Sequence, residues 1–139
     1  MTAVEEQNSQ QQPAPTSSST GLDPKLGGLL AYLLGWLTGL ILFLVEKDNK
    51  YIRFHAMQSI LLSIAVFVIE VALGIVVGIL TRIPGIGLIV GLAALPVYGL
   101  LGLAVFGLWI FMMIKGYNGY DTGEYYKLPF IGNMAEKQA

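Results

Sequence analysis

Residues 56–81 read AMQSILLSIAVFVIEVALGIVVGILT, and this stretch decides the fold. Glu70 is its only acidic residue, and no basic residue interrupts it. A run of about 20 apolar residues rises about 30 Å as a helix, enough to cross the hydrocarbon core of a bilayer. Working toward the N-terminus, Leu26 to Val45 form a second charge-free apolar block. Working toward the C-terminus, Ile86 to Ile114 form a third, beyond Arg82. The composition agrees: 55% of the 139 residues are hydrophobic and 12% charged, against about 25% charged in soluble domains. The fold class expected is an all-α integral membrane protein. A net charge of −1 gives no nucleic-acid surface, and the absence of cysteine excludes disulfides and thiolate metal sites.

Residues 1–22 are polar, rich in Gln, Ser, Thr and Pro, and lack apolar periodicity. They read as a disordered tail, because such a segment buries too little apolar surface to offset its ordering entropy. Residues 23–139 read as the membrane domain. Asp23-Pro24 suits a helix start, with Asp as cap and Pro in the first turn. The expected spans are residues 26–45, 56–81 and 94–114, with the helix of the second starting near Tyr51. Arg82-Ile83-Pro84-Gly85 breaks that helix. Ile86 to Ile114 is about 29 residues, long for one span and short for two. Residues 83–95 are therefore expected as a Gly-rich connector: interfacial, re-entrant, or a helical extension kinked at Pro96. With three spans, Lys25 and Arg82 share one side and every other basic residue the opposite side. The positive-inside rule then puts the N-terminus outside and the C-terminus inside, in the cytoplasmic membrane.

Small residues recur at helical spacing. Ala31, Gly35 and Gly39 align on the first span, Gly74 and Gly78 on the second, and Gly87 and Gly91 in the connector. Such rows let helix backbones approach within a monomer or between copies. On the second helix, His55, Ser59, Ser63, Glu70, Gly74, Gly78 and Thr81 share one face at a period of 3.6 residues. That polar edge is expected to meet protein or water rather than lipid. Two readings of Glu70 stay open: a point on an ion, proton or solute path, or a partner in an interhelical hydrogen bond. His55, the only histidine, reads with Arg53 and Gln58 as an anchor of the helix to headgroups or to neighbouring carbonyls. Tyr117, Tyr120, Tyr125 and Tyr126, beside Lys115 and Lys127, read as an aromatic belt. No catalytic constellation, metal-ligand spacing or cofactor motif is visible, so neither enzyme activity nor a cofactor is expected.

The stretch Lys50-Tyr51-Ile52-Arg53-Phe54-His55-Ala56-Met57-Gln58-Ser59 resembles the Tic-twenty-like family. This group of small bacterial and archaeal membrane proteins is linked to the small channel-associated subunit of the chloroplast import machinery and to magnetosome membrane proteins. Gly116 and Tyr126-Lys127-Leu128-Pro129-Phe130-Ile131-Gly132-Asn133 resemble the family's ending, and the likeness covers about residues 25 to 137. It implies a helical membrane fold, an interfacial motif of Arg53, Phe54, His55 and Gln58, and a part in protein translocation or in organising a membrane compartment. The function expected is a structural or assembly component. Its partners would be the lipid bilayer, further copies or other membrane proteins. The alternative is a channel or transport subunit with Glu70 on its path.

Overall fold

Asn49 opens a 31-residue apolar helix by accepting the Ile52 N–H on its Oδ1 at 3.1 Å. The computed structural model describes residues 18–139. Among them are five helices: α1 (Pro24–Leu33), α2 (Trp36–Val45), α3 (Lys50–Leu80), α4 (Gly87–Thr122) and α5 (Ile131–Gln138). At 31 and 36 residues, α3 and α4 are both long and apolar enough to cross a membrane. The start expected near Tyr51 and the end near Thr81 agree with α3. Residues 1–17, most of the expected tail, lie outside the described residues.

The first apolar block is not one helix, which corrects the expected span over residues 26–45. It forms two ten-residue helices folded against each other, α1 and α2. The break falls at Gly35, with φ at +63°, a conformation L side chains adopt only with strain. Gly35 is thus a turn residue and not the packing residue that its spacing from Ala31 and Gly39 suggests. Neighbours along α3 give the path of the pair. Gly27 lies against Ile52, Tyr32 bonds His55, and Gly35 lies beside Ser63. The chain then returns, with Gly39 against Ala56 and Ser59, and Arg53 bonded to the carbonyl of Phe43. Each arm rises about 15 Å, half the hydrocarbon thickness.

A hairpin tip at that depth needs its own hydrogen bonds, since hydrocarbon offers none. Ser59 Oγ donates to Gly35 O at 3.0 Å, and Gly39 N–H donates to the same carbonyl at 3.1 Å. Thr38 Oγ1 accepts the Leu34 N–H at 3.2 Å. Asp23 caps α1 by accepting the Lys25 N–H at 2.9 Å, with Pro24 in the first turn, as its sequence suggests. At the far end of α2, Arg53 donates to Phe43 O and Glu46 O at 2.9 and 2.6 Å. A cation satisfying the last carbonyls of a helix also complements its dipole.

Of the three forms open for residues 83–95, the helical extension is the one that forms, from Gly87 onward. The turn occupies residues 81–86, with Gly85 at φ +90°, and α4 then runs through Pro96 to Thr122. Proline removes one backbone donor, yet the flanking residues have no water to turn to in lipid, so the helix persists around it. The last span is therefore longer than residues 94–114. It ends on Gly123 at φ +68°, where the N–H groups of Gly123 and Glu124 bond back to Tyr120 O and Gly119 O at 3.2 and 2.8 Å.

The hairpin packs into the crossing of α3 and α4 at one end of the molecule. Gly28 of α1 and Gly116 of α4 meet backbone to backbone, so a Cβ on either would overlap the other's carbonyl group. Ala31, Tyr32, Ile52, Ala56 and Met112 are fully buried there. Lys25 pairs with Asp121 at 2.7 Å, and Ser18, Ser19 and Thr20 bond Glu46. The start of α1, the end of α2, the start of α3, the end of α4 and all of α5 therefore gather at one end. The expected arrangement, three successive spans with the chain ends on opposite faces, does not fit this geometry. The outer halves of α3 and α4 carry exposed apolar side chains, among them Phe67, Ile79, Leu88, Leu100 and Phe106.

Candidate functional site

Three polar features stand out on this frame: a buried knot, a carboxylate clasp and a side cavity. The knot forms where the α3 motif meets Tyr32 of α1. Gln58 Nε2 donates to Tyr32 Oη and to Tyr126 O, both at 2.9 Å. Gln58 Oε1 accepts the Leu128 N–H at 3.1 Å. Tyr32 Oη lies 2.8 Å from His55 Nδ1. With one phenol lone pair taken by Gln58, this pattern assigns the phenol proton to the bond with Nδ1 and the imidazole proton to Nε2. His55 Nε2 is buried with no hydrogen-bond partner among the described residues. Tyr51 and Phe54 stand edge-on to the imidazole, with centroids at 4.6 and 5.1 Å. Tyr51 Oη donates to Gly116 O at 2.7 Å, which ties α3 to α4.

The knot thus joins α1, α3 and the chain beyond α4. Removing the Gln58 side chain would take their partner from the Leu128 N–H and the Tyr126 carbonyl and leave Tyr32 Oη with His55 alone, at up to about 1–3 kcal/mol for each group left unpaired. Phe54, His55 and Gln58 meet here and Arg53 lies at the end of α2, and Arg53 and Gln58 bond carbonyls of neighbouring segments, one of the two anchoring roles their sequence suggests. All but Arg53 are buried. Phe54 packs edge-on to Tyr125, 5.2 Å between centroids. Tyr120, in the last turn of α4, and Tyr125, beyond it, join this aromatic cluster at 5.4 and 5.2 Å from Tyr51.

The clasp centres on Glu46, which is shielded from solvent. Its carboxylate accepts the hydroxyls of Ser18, Ser19 and Thr20 at 2.8–3.0 Å. It also accepts the N–H groups of Ser19, Thr20, Asp48 and Asn49 at 2.9–3.2 Å. Residues 18–20, part of the expected tail, are thereby fixed to the loop after α2. Burial pushes the Glu46 carboxyl up, but the Ser19 and Asn49 N–H groups and the Ser18 and Thr20 hydroxyls outweigh it and hold it well below 4.5. A depressed folded pKa gives stability that is complete above the unfolded value and is lost as pH falls through the folded one. The Ser19 and Thr20 amides are therefore expected to lose protection from hydrogen exchange on acidification below 4.5. In Glu46→Gln, compared at each pH, protection should be lower throughout and should lack this additional loss. An identical pH response in the variant would show that Glu46 does not hold the segment.

The cavity, of about 440 Å³, opens sideways beneath the hairpin tip. It is lined by Gly35, Trp36, Ser63, Val66, Phe67, Glu70, Val105 and Trp109. Glu70 follows Val66 on the side of α3 turned toward α4. Among the described residues no side chain or backbone group bonds to it. Ser63 Oγ is buried and likewise without a partner. The expected polar stripe therefore divides. His55 and Ser59 bond the hairpin, and Ser63 and Glu70 line the cavity. Thr81 Oγ1 bonds back to Gly78 O at 3.0 Å at the end of α3. Of the small residues, Ala31 is buried and Gly39 touches Ala56 and Ser59. A Cβ on Gly74 would only graze Tyr98 Oη at 3.9 Å, and one on Gly78 would meet open space.

Several of these residues escape sequence reading. Tyr32 signals itself only as one phenol in an apolar run. Glu46 lies in a charged loop like any other, and Gly28 with Gly116 are far apart in the chain. Among the described residues no three His, Cys, Asp or Glu side chains gather in a way that could hold a metal ion.

Two membrane-length helices, a shorter apolar hairpin wedged into one end and a polar knot that fastens it define a small helical membrane protein. The chain belongs to the magnetosome magnetite crystal formation protein family, which matches residues 20–135. It is 40% identical over 117 residues to a UPF0132 membrane protein of Methanocaldococcus jannaschii, covering 84% of this chain and 71% of that one. A second UPF0132 membrane protein of the same organism is 39% identical over 120 residues, covering 86% and 92%. One from Archaeoglobus fulgidus is 34% identical over 113 residues, covering 81% and 92%. No solved structure matches the chain. These relatives, all named as membrane proteins, support membrane localisation.

Proposed function

We propose that this protein is a structural or assembly component of a membrane, and not an enzyme. The observation that carries this reading is how the polar side chains are used. Arg53, Gln58, Ser59 and Glu46 are all spent on holding the chain to itself, while the outer halves of α3 and α4 present apolar surface and small residues. Such a surface suits contact with lipid, further copies or other membrane helices. In this reading α3 and α4 span the bilayer and the α1–α2 hairpin enters and leaves by one face. Of the eight basic residues only Arg82 lies at the far end, so the positive-inside rule makes the hairpin face cytoplasmic. A relation to the chloroplast import subunit rests on the motif resemblance alone.

A transport subunit is the second reading, favoured by Glu70 on an open cavity between two spanning helices. Two measurements separate the two. Cross-linking in native membranes should capture the protein with further copies or with defined membrane partners. Purified protein in liposomes should give no ion or peptide flux above protein-free liposomes. Flux that is lost in Glu70→Gln would replace the assembly reading with the transport one.

A further inference from the structure

The chain has two tryptophans, and both face the cavity beneath the hairpin tip. With Phe67 they give it aromatic walls, and aromatic faces attract cations, more strongly when water is excluded. Beside the indole N–H groups, its polar side chains are Glu70, exposed to the cavity with no hydrogen bond from the described residues, and Ser63, whose hydroxyl is buried without a partner among them. A carboxylate at mid-membrane costs about 2.5–3.5 kcal/mol and is found where a counter-charge or a polar cavity receives it. The chain's own cations do not supply one. Arg53 is engaged with carbonyls at the opposite end of α3, and Arg82 stands about 18 Å further along the helix axis.

The cavity volume of about 440 Å³ falls within the range of about 300–1,000 Å³ usual for small-molecule sites. Its mouth is lateral, beside the exposed Ile64 and Phe67, so a ligand reaches it from the bilayer. We propose that this cavity binds a lipophilic organic cation. Glu70 is the counter-ion, Ser63 the second polar contact, and Trp36, Phe67 and Trp109 the aromatic walls. This goes beyond the assembly role and is read as binding without flux, so its failure leaves that role untouched.

Tetraphenylphosphonium is a suitable probe, and tetraphenylborate is a control of the same shape and opposite charge. Titrated into the full-length protein in nanodiscs, the phosphonium is expected to change tryptophan fluorescence saturably, and the borate is not. Glu70→Gln should weaken phosphonium binding by at least about tenfold. Val105→Trp, which fills the cavity and keeps the carboxylate, should abolish it. Equal binding of phosphonium and borate would mean apolar partitioning and would overturn the proposal. So would unchanged affinity in Glu70→Gln, or in a folded Val105→Trp. A second copy of the chain cross-linked through Trp36 or Trp109, with no response to the phosphonium, would assign the cavity to a dimer contact instead.

Discussion

Gly116→Val unseats the hairpin. The Cβ added at Gly116 would overlap the Gly28 carbonyl group, which is backbone and cannot rotate away. To accommodate it, α1 must move off α4, and with it go the Lys25–Asp121 pair and the seating of Tyr32 against His55 and Gln58. Overpacking alone costs about 1–3 kcal/mol, and the lost polar contacts add to it. The expected result is a large fall in thermal stability in detergent, with Tyr32 becoming accessible to solvent. Gly78→Val, where a Cβ would meet nothing within 4 Å, is the matched control and should change little. A Gly116→Val protein as stable as its parent would mean that α1 does not cross α4 at this point.

Single-cysteine labelling should give an all-or-none pattern, unobscured because the natural chain has no cysteine. On the two-span reading, Thr20→Cys, Lys47→Cys and Lys137→Cys react with an impermeant maleimide from the same side of the membrane. Ile83→Cys reacts only from the other. Leu34→Cys, at the hairpin tip, reacts from neither. Three consecutive spans would instead place Thr20 and Lys47 on opposite sides. That pattern would show that α1 and α2 open into one helix in the bilayer.

The difference between those patterns turns on one residue that sequence reading placed in the wrong role. The long apolar runs made α3 legible almost to its ends, because a charge-free run of that length has few structural options. The same logic failed for residues 26–45. Twenty apolar residues satisfy one span or two half-length helices equally well, and hydropathy carries no information on chain direction. Gly35 decides between them through its backbone conformation, yet its spacing from Ala31 and Gly39 is also that of a packing row. Pro96 left residues 83–95 open between a connector and a kinked helix, and the helix passes through it because lipid offers the backbone nothing better.

At the candidate site the motif Arg53-Phe54-His55-Ala56-Met57-Gln58 marked the right neighbourhood. Its partners, Tyr32, Tyr126 and Leu128, come from separate segments that only the folded chain brings together. The serines that bind Glu46 had no legible signal at all. A polar, aperiodic segment looks unstructured until an acceptor is placed against it.

The turn between α3 and α4, residues 81–86, governs how such a chain enters a membrane. If both helices span, that short turn with Arg82 is the only hydrophilic material that must pass through the bilayer. The helices on either side hold about 30 Leu, Ile, Val and Phe residues, each favouring insertion by about 0.3–0.6 kcal/mol at the helix centre. Their sum of roughly 10 kcal/mol or more exceeds the roughly 3 kcal/mol for Arg82 and a similar amount for Glu70. The helix pair is therefore suited to insert as a single wedge, turn first, with everything before Lys50 and after Thr122 left on the side where it was made.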